Sequence, residues 1–319
     1  MDIIEKTDVK CPLCGGYSQH NRHIDRFFLK KEYQTKNDNR DFPPDLSFED
    51  SDEFKCTECE LDFSYPMKEG SNLFYKYITN DGSYYANNRW EWTVLLDIFS
   101  KQLVSTPLKG LDIGCGNGPF LKKTSQLNEV NFEGIDTNSN AITQACAMGL
   151  KASCNSIRTL KETLNNQEKY DIVTSFHTME HVSDPVVFVR EALNLLKPGG
   201  RFFFSLPLTP SGLEIFHFTP RNHAPHHLTR WNTKSLNKLA KLLDVSIEFR
   251  FPPPQRSKER ALYSLAYEYL PRKALFDRRK WNLLPFLHPI KFILYWTTYK
   301  KLSKTKQIHD VVLCEIKKP

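Results

Sequence analysis

Between residues 110 and 120 the chain reads GLDIGCGNGPF. A short apolar run ends in glycines at alternate positions, and Pro119 then stands where a helix can begin. Glycine at 114, 116 and 118 lets the backbone turn sharply and approach a ligand more closely than a side chain permits. A strand feeding such a loop and then a helix opens an α/β sheet, whose ligands bind beyond the carboxyl ends of its strands. The unit then repeats. VNFEGID reads as a second strand, and residues 138–148 as a helix closed by Gly149. LKASC leads to a polar helix, YDIVTSF is a fourth strand, and residues 184–196 form a helix with Pro185 just inside its start. Lys197-Pro198-Gly199-Gly200 stops that helix and launches the strand RFFFSL; a helix over 232–243 then precedes VSIEFRF. HDVVLCEIKK reads as one more strand. This alternation predicts a parallel sheet covered by helices on both faces.

The rest of the 319 residues must form something else. At roughly 150 residues per domain the length suggests about two domains. With 40% hydrophobic and 25% charged residues, wholesale disorder is excluded. There is no clean run of 18 apolar residues and the opening MDIIEKTDVK is not an apolar leader, so a cytoplasmic chain is expected. The net charge of +7 is uneven: residues 255–319 carry 15 Lys and Arg against 5 Asp and Glu. A basic tail on a mildly acidic body suits an anionic partner, or is simply a solvated surface. Three parts are expected: residues 1–70, residues 71–251 with 309–319, and an intervening segment 252–308 that begins Pro252-Pro253-Pro254.

Four of the eight cysteines stand in two C-x-x-C pairs, Cys11 with Cys14 and Cys56 with Cys59. Each pair can aim two thiolates at one ion, and four thiolates close a tetrahedral structural zinc site with no open position. The alternative is reduced thiols or a redox pair. Residues 15–55 must then form an excursion; within it, residues 38–53 carry seven acids and one arginine. Cys115, Cys146, Cys154 and Cys314 are single and expected to be small buried side chains.

The glycine spacing is G-x-G-x-G rather than the dinucleotide G-x-G-x-x-G; Asp112 precedes it and Asp136 closes the next strand. LDIGCGNG, GIDTN, YDIVTSFHTMEHVSDP and LLKPGG stand in order, and over residues 110–251 the chain resembles class I S-adenosylmethionine-dependent methyltransferases. The resemblance implies a Rossmann-like seven-stranded, doubly wound sheet with its last strand antiparallel, and makes 252–308 an insertion between the final two strands. By motif it implies that Asp112, Gly114, Cys115, Gly116 and Gly118 hold the methionyl part of the cofactor. Asp136, with Thr137 beside it, would hold the ribose. Asn155, Ser156 and Ile157 would bracket the adenine, and Phe176 and His177 lie along the cofactor. A dinucleotide-binding domain and an inactive, zinc-bearing interaction protein are the alternatives.

Methyl transfer is an in-line displacement that needs alignment, a dry site and, for a hydroxyl acceptor, a general base. RNHAPHHLTRW offers His223, His226 and His227, and resembles a stretch of bacterial methyltransferases acting on sugars and small metabolites. His181 is a fourth candidate, or a structural residue at the end of the fourth strand. The quinone O-methyltransferase branch has E-x-x-E-H here and uses it for a divalent metal; His177-Thr178-Met179-Glu180-His181 lacks one of those carboxylates. N-terminal zinc modules also precede sugar C-methyltransferases and some ribosomal RNA methyltransferases, so the expected acceptor is a small molecule or glycan, with an RNA base as the rival. Residues 281–304 mix large apolar side chains with lysines and are interrupted by Pro285 and Pro289. They suit a membrane surface, a helical cap or dimer contact, or RNA phosphates.

Overall fold

The computed structural model describes residues 9–36, 42–79, 84–102, 106–163, 169–271, 274–275, 277–305 and 308–319. The opening residues 1–8 and Asp38, Arg40 and Asp41 of the acidic stretch lie outside the described residues.

The strands in chain order are β1 (Ser18–Ile24), β2 (Ser51–Cys56), β3 (Asp62–Tyr65), β4 (Leu108–Ile113), β5 (Val130–Asp136), β6 (Ala152–Cys154), β7 (Tyr170–Phe176), β8 (Leu196–Pro207), β9 (Thr229–Arg230), β10 (Ile247–Arg250) and β11 (Val311–Lys317). Seven make one sheet in the order β10-β11-β8-β7-β4-β5-β6. Pairing is parallel from β8 through β6, and β11 runs antiparallel to both neighbours. The doubly wound, Rossmann-like sheet with a reversed last strand is therefore present. Both faces of β8 are covered, so Phe202, Phe203 and Phe204 are all buried in succession. A strand buried on two faces reads as a continuous apolar run, which is why RFFFSL has no alternation. β8 also starts earlier than expected: Lys197 to Gly200 lie within it, and the pairing slips against β7 between Tyr170 and Ile172. The helix Ser139–Ala147 is capped by Asn138, whose side chain accepts from the amides of Asn140 and Ala141. Cys115 and Cys314 are buried, but Cys146 and Cys154 are exposed, contrary to expectation, because they lie on the outer flank of a helix and on the edge strand β6.

The second sheet, β1-β2-β3-β9, is antiparallel throughout. Its last strand comes from the histidine-rich segment, with Phe63 paired to Thr229 and Asp62 to Arg230. The two sheets also share a core: Phe54, Leu61 and Phe63 pack in one cluster with Met179, Leu208 and Trp231. Residues of the expected insertion form the helices Ser257–Tyr269, Arg278–Trp281, Leu284–Leu287 and Pro289–Thr305 between β10 and β11. No described helix is long and apolar enough to cross a membrane.

Candidate active site

The glycine loop leaves β4 with φ of +75° at Gly114, +56° at Gly116 and +83° at Gly118, a region only glycine enters freely. The amides of Gly114 and Cys115 both donate to the carbonyl of Ile135 on β5, at 2.8 and 3.0 Å. A Cβ on Gly116 would meet the ring of Tyr85 at 2.5 Å, so the turn is closely roofed. Asp136, at the end of β5, accepts from the amide of Gly116 and from that of Asn138, each at 2.8 Å. Burial nevertheless raises its pKa. Asp112 is deeper: its carboxyl accepts from the Thr174 hydroxyl at 2.7 Å and is pushed up to about 8 by burial. A carboxyl buried beside a second acid, with one hydroxyl for company, is a site that favours a cationic ligand.

Beyond Asp136, the Asn155 amide donates to the Asp136 carbonyl at 3.2 Å, and Ser156 caps the helix Ile157–Thr163 through the amide of Thr159 at 3.1 Å. Asn155 and the start of that helix at Ser156 and Ile157 are thus held next to Asp136. Phe176 is buried at the end of β7 and packs edge-on against Phe120. His177 follows with φ of +52°, strained for a non-glycine residue. Its Nε2 lies 3.1 Å from Glu91 and its Nδ1 3.6 Å from Glu180. Burial opposes its positive charge, but the hydrogen bonds to Glu180 and Glu91 outweigh that and raise its pKa. Glu91, Tyr84 and Tyr85 carry no sequence motif, and only the fold brings them here.

Three of the four candidate histidines converge. One ring nitrogen each of His181, His226 and His227 lies within 4.8 Å of the others. Their protonation pattern is set by fixed acceptors. The Nδ1 of His181 donates to the His226 carbonyl at 2.6 Å, that of His226 to the Arg221 carbonyl at 2.7 Å, and that of His227 to Asn222 Oδ1 at 2.7 Å. Asn222 is oriented in turn by donating its Nδ2 to Glu214. With Nδ1 donating, the neutral rings of His226 and His227 carry their lone pair on Nε2. The Tyr84 hydroxyl reaches His226 Nε2 at 3.0 Å, and His227 Nε2 stands 3.9 Å from the buried Glu180. Burial and the neighbouring His181 hold His226 and His227 well below 6.5. A neutral imidazole whose Nε2 lone pair is not already engaged by a donor, as that of His226 is by Tyr84, can take a proton or ligate a dication.

A family profile described as a methyltransferase domain matches residues 84–245. The chain belongs to this methyltransferase domain family. The match opens at Tyr84 and takes in the glycine loop, both aspartates and the histidine cluster. Among curated relatives, the chain is 34% identical over 100 residues to a ubiquinone biosynthesis O-methyltransferase of Serratia proteamaculans, covering 30% of this chain and 41% of that protein. It is 35% identical over 112 residues to the protein of the same description from Hydrogenovibrio crunogenus, covering 34% and 46%. The chain thus spans about half the length of the curated relatives it matches. A SAM-dependent methyltransferase structure from Archaeoglobus fulgidus aligns with 76% of this chain and 100% of its own length, with a TM-score of 0.51 at 17% identity, which shows the shared fold.

His223 stands apart from the other histidines. It stacks on Phe218 at 4.3 Å, and its Nδ1 lies 2.5 Å from Glu53 of β2. Glu53 is fully buried and also accepts from Arg230 at 2.5 Å and Arg22 at 2.6 Å. Burial would raise its pKa, but the Arg230 charge and the His223 bond hold it down to about 2. This cluster ties the N-terminal sheet to the loop that carries the histidines of the methyltransferase domain.

The four cysteines of the two pairs also meet, with Cys11 3.6 Å from Cys59 and Cys14 3.5 Å from Cys56, sulfur to sulfur. Tetrahedral bonds of about 2.3 Å place thiolates roughly 3.8 Å apart, so the four sulfurs fit one dication.

Proposed function

We propose that this chain transfers a methyl group from S-adenosylmethionine to a hydroxyl of a small-molecule or glycan-type acceptor. The observation that carries the reading is the pair Asp112 and Asp136 around a glycine loop with three left-handed residues. In this reading Asp112, Thr174 and the loop Gly114, Cys115, Gly116, Gly118 receive the cationic methionyl end. Asp136 and Thr137 take the ribose hydroxyls, Asn155, Ser156 and Ile157 the adenine, and Phe176 and His177 the long edge. The cofactor supplies an electrophilic methyl on a sulfonium.

The protein's own part is alignment and one proton. Tyr84 and Tyr85 roof the crevice and keep water out. The acceptor hydroxyl gives its proton to a free Nε2 of the histidine cluster, His227 first. The Glu180 carboxylate, 3.9 Å from that nitrogen, then stabilises the imidazolium. His181 and His226 shape the pocket, and His223 serves as a positioning residue through Glu53. Support for an O-linked small acceptor comes from the relatives named ubiquinone biosynthesis O-methyltransferase.

The four cysteines are assigned a structural zinc. The working division is a zinc module at 1–70, a methyltransferase domain at 71–251 with 309–319, and a helical insertion at 252–308. A cytoplasmic chain working beside a membrane, on an acceptor that is lipid-linked, is the setting that best suits the insertion. The test is calorimetric titration with S-adenosylhomocysteine. Binding by the wild type, weakened more than tenfold in Asp136→Ala, is expected; no heat with the wild type overturns the assignment.

A further inference from the structure

The successive helices Leu284–Leu287 and Pro289–Thr305 are together apolar on two sides, and only one of them faces the protein. Leu284, Tyr295 and Tyr299 turn inward against Ala261 and Leu265. Tyr299 donates to the carbonyl of Gly212 at 2.7 Å, and Tyr295 to Glu268 at 2.7 Å, so the orientation of the helix is locked. That leaves Leu283, Phe286, Leu287, Ile290, Ile293 and Leu294 in solvent, Phe286 and Ile290 each 83% exposed. Contiguous large side chains of this kind on a chain's surface mark an interaction face.

What covers the face is decided by charge. Residues 278–305 contain seven lysines and arginines and no acid. Two of these cations are satisfied locally, Arg279 by Asp277 and Lys291 by Glu268. Arg278 lies over the Trp281 ring at 5.8 Å and Lys300 over Trp296 at 5.9 Å, while Lys301 and Lys304 stand in solvent. A second copy would set this cationic rim against itself. A helix pair with an apolar outer face, aromatic flanks and basic edges matches instead the interfacial zone of a bilayer whose headgroups are anionic.

We infer that the helices spanning 278–305 dock on an anionic membrane surface, with the apolar stripe entering the headgroup boundary and the basic residues meeting phosphates. The inference rests on the insertion alone and holds whichever acceptor the site takes. It also has a geometric link to the site. Phe216 packs on Tyr295 at 4.3 Å, Tyr267 donates to the Phe218 carbonyl at 3.2 Å, and Phe218 stacks on His223. The short stretch from Phe216 to His223 therefore touches the docking helix at one end and carries a histidine of the loop at the other.

The test is flotation of the full chain with vesicles of phosphatidylcholine, with and without phosphatidylglycerol. Binding to the mixed vesicles, weak on phosphatidylcholine alone and falling with salt, is expected. Phe286→Ser with Ile290→Ser removes two exposed side chains that support no core, and should lower partitioning by about a hundredfold with an unchanged melting midpoint. Lys300→Gln, Lys301→Gln and Lys304→Gln should each cost about fivefold on anionic vesicles. No flotation of the wild type, equal binding to neutral vesicles, or an apolar variant that still floats overturns the proposal. So does a wild-type dimer that the apolar variant splits, which gives the face to a second copy. Tight binding to an RNA oligonucleotide without flotation gives the cations to nucleic acid and overturns it equally.

Discussion

Glu53 and Arg230 lie 177 residues apart in sequence and share a hydrogen bond of 2.5 Å, with neither side chain more than 4% exposed. Arg230 follows the histidines by three positions, and Glu53 sits on the hairpin between the cysteine pairs. Removing one partner of a buried ion pair strands the other's charge. Glu53→Ala is therefore expected to cost about 3–5 kcal/mol, read as a lower urea midpoint. Glu53→Gln keeps the shape and should cost less. If Glu53→Ala unfolds like the wild type, the cluster does not hold the two sheets together.

Acid should expose the same contact. Glu53 has a folded pKa of about 2 against an ordinary 4.5. Its contribution is complete above the unfolded value and is lost as pH falls from about 4.5 towards 2, on the order of 3 kcal/mol. His226 and His227 act earlier and in the same direction. Their depressed pKa values stabilise the folded chain above 6.5, and that stability is lost as pH drops below it. His177 opposes them, since its raised pKa adds stability below 6.5 that is lost at higher pH. Melting midpoints between pH 7 and 3 should fall in two stages. In Glu53→Gln the lower stage should be smaller, the remainder coming from the other lowered carboxyls, Glu91, Glu180 and Glu315 among them; an unchanged lower stage would assign it to those groups.

Cofactor affinity should depend on Asp112. With a carboxyl pushed up to about 8, the ligand-free chain holds it largely protonated at neutral pH. A cationic ligand binds the ionised form, so affinity should rise with pH towards 8, by at most about tenfold per unit. Asp112→Asn should bind more weakly and without that slope. Calorimetry at three pH values decides it, and a flat wild-type profile counts against a cation at Asp112.

Among the histidine variants, His227→Ala should lower turnover by about a hundredfold or more with cofactor affinity unchanged, the size expected for loss of a general base. Asn222→Ala, which frees the His227 ring, should give a smaller loss. His223→Ala should lower the melting midpoint, because its loss bares Glu53. Full turnover in His227→Ala removes that ring from the proton path and passes the role to His181 or His226.

Freshly purified protein should carry about one zinc per chain, released by Cys56→Ser together with a lower melting midpoint. The cysteine knuckles share a core with Met179 and Trp231, so metal loss should also loosen the histidine loop. Elemental analysis without zinc would return the four thiols to a reduced, metal-free role.

Much of the fold was legible in local patterns. Glycines that need φ above zero, Asn138 and Pro119 at helix starts, and apolar runs of strand length specify the βα units by short-range sterics and hydrogen bonding. The reversed last strand and the place of the insertion came from resemblance, since periodicity carries no strand direction. What stayed hidden was the company each site residue keeps. The motif implies that His177 lies along the cofactor, and the fold also sets it between Glu91 and Glu180. The sequence offers His223, His226 and His227 as candidates and His181 as a candidate or a structural residue; the fold brings His181, His226 and His227 together and gives His223 to Glu53.

The chain's own order of residues determined the alternating elements, the glycine turn, the paired cysteines and the candidate acids, because each depends on neighbours a few positions away. Only the tertiary structure decided that β9 joins the N-terminal sheet, that Tyr84 reaches His226, and that the apolar face at 283–294 is left bare. Those are contacts between segments up to two hundred residues apart. They follow from how the sheets and helices exclude water together, a property of the packed whole that no local window contains.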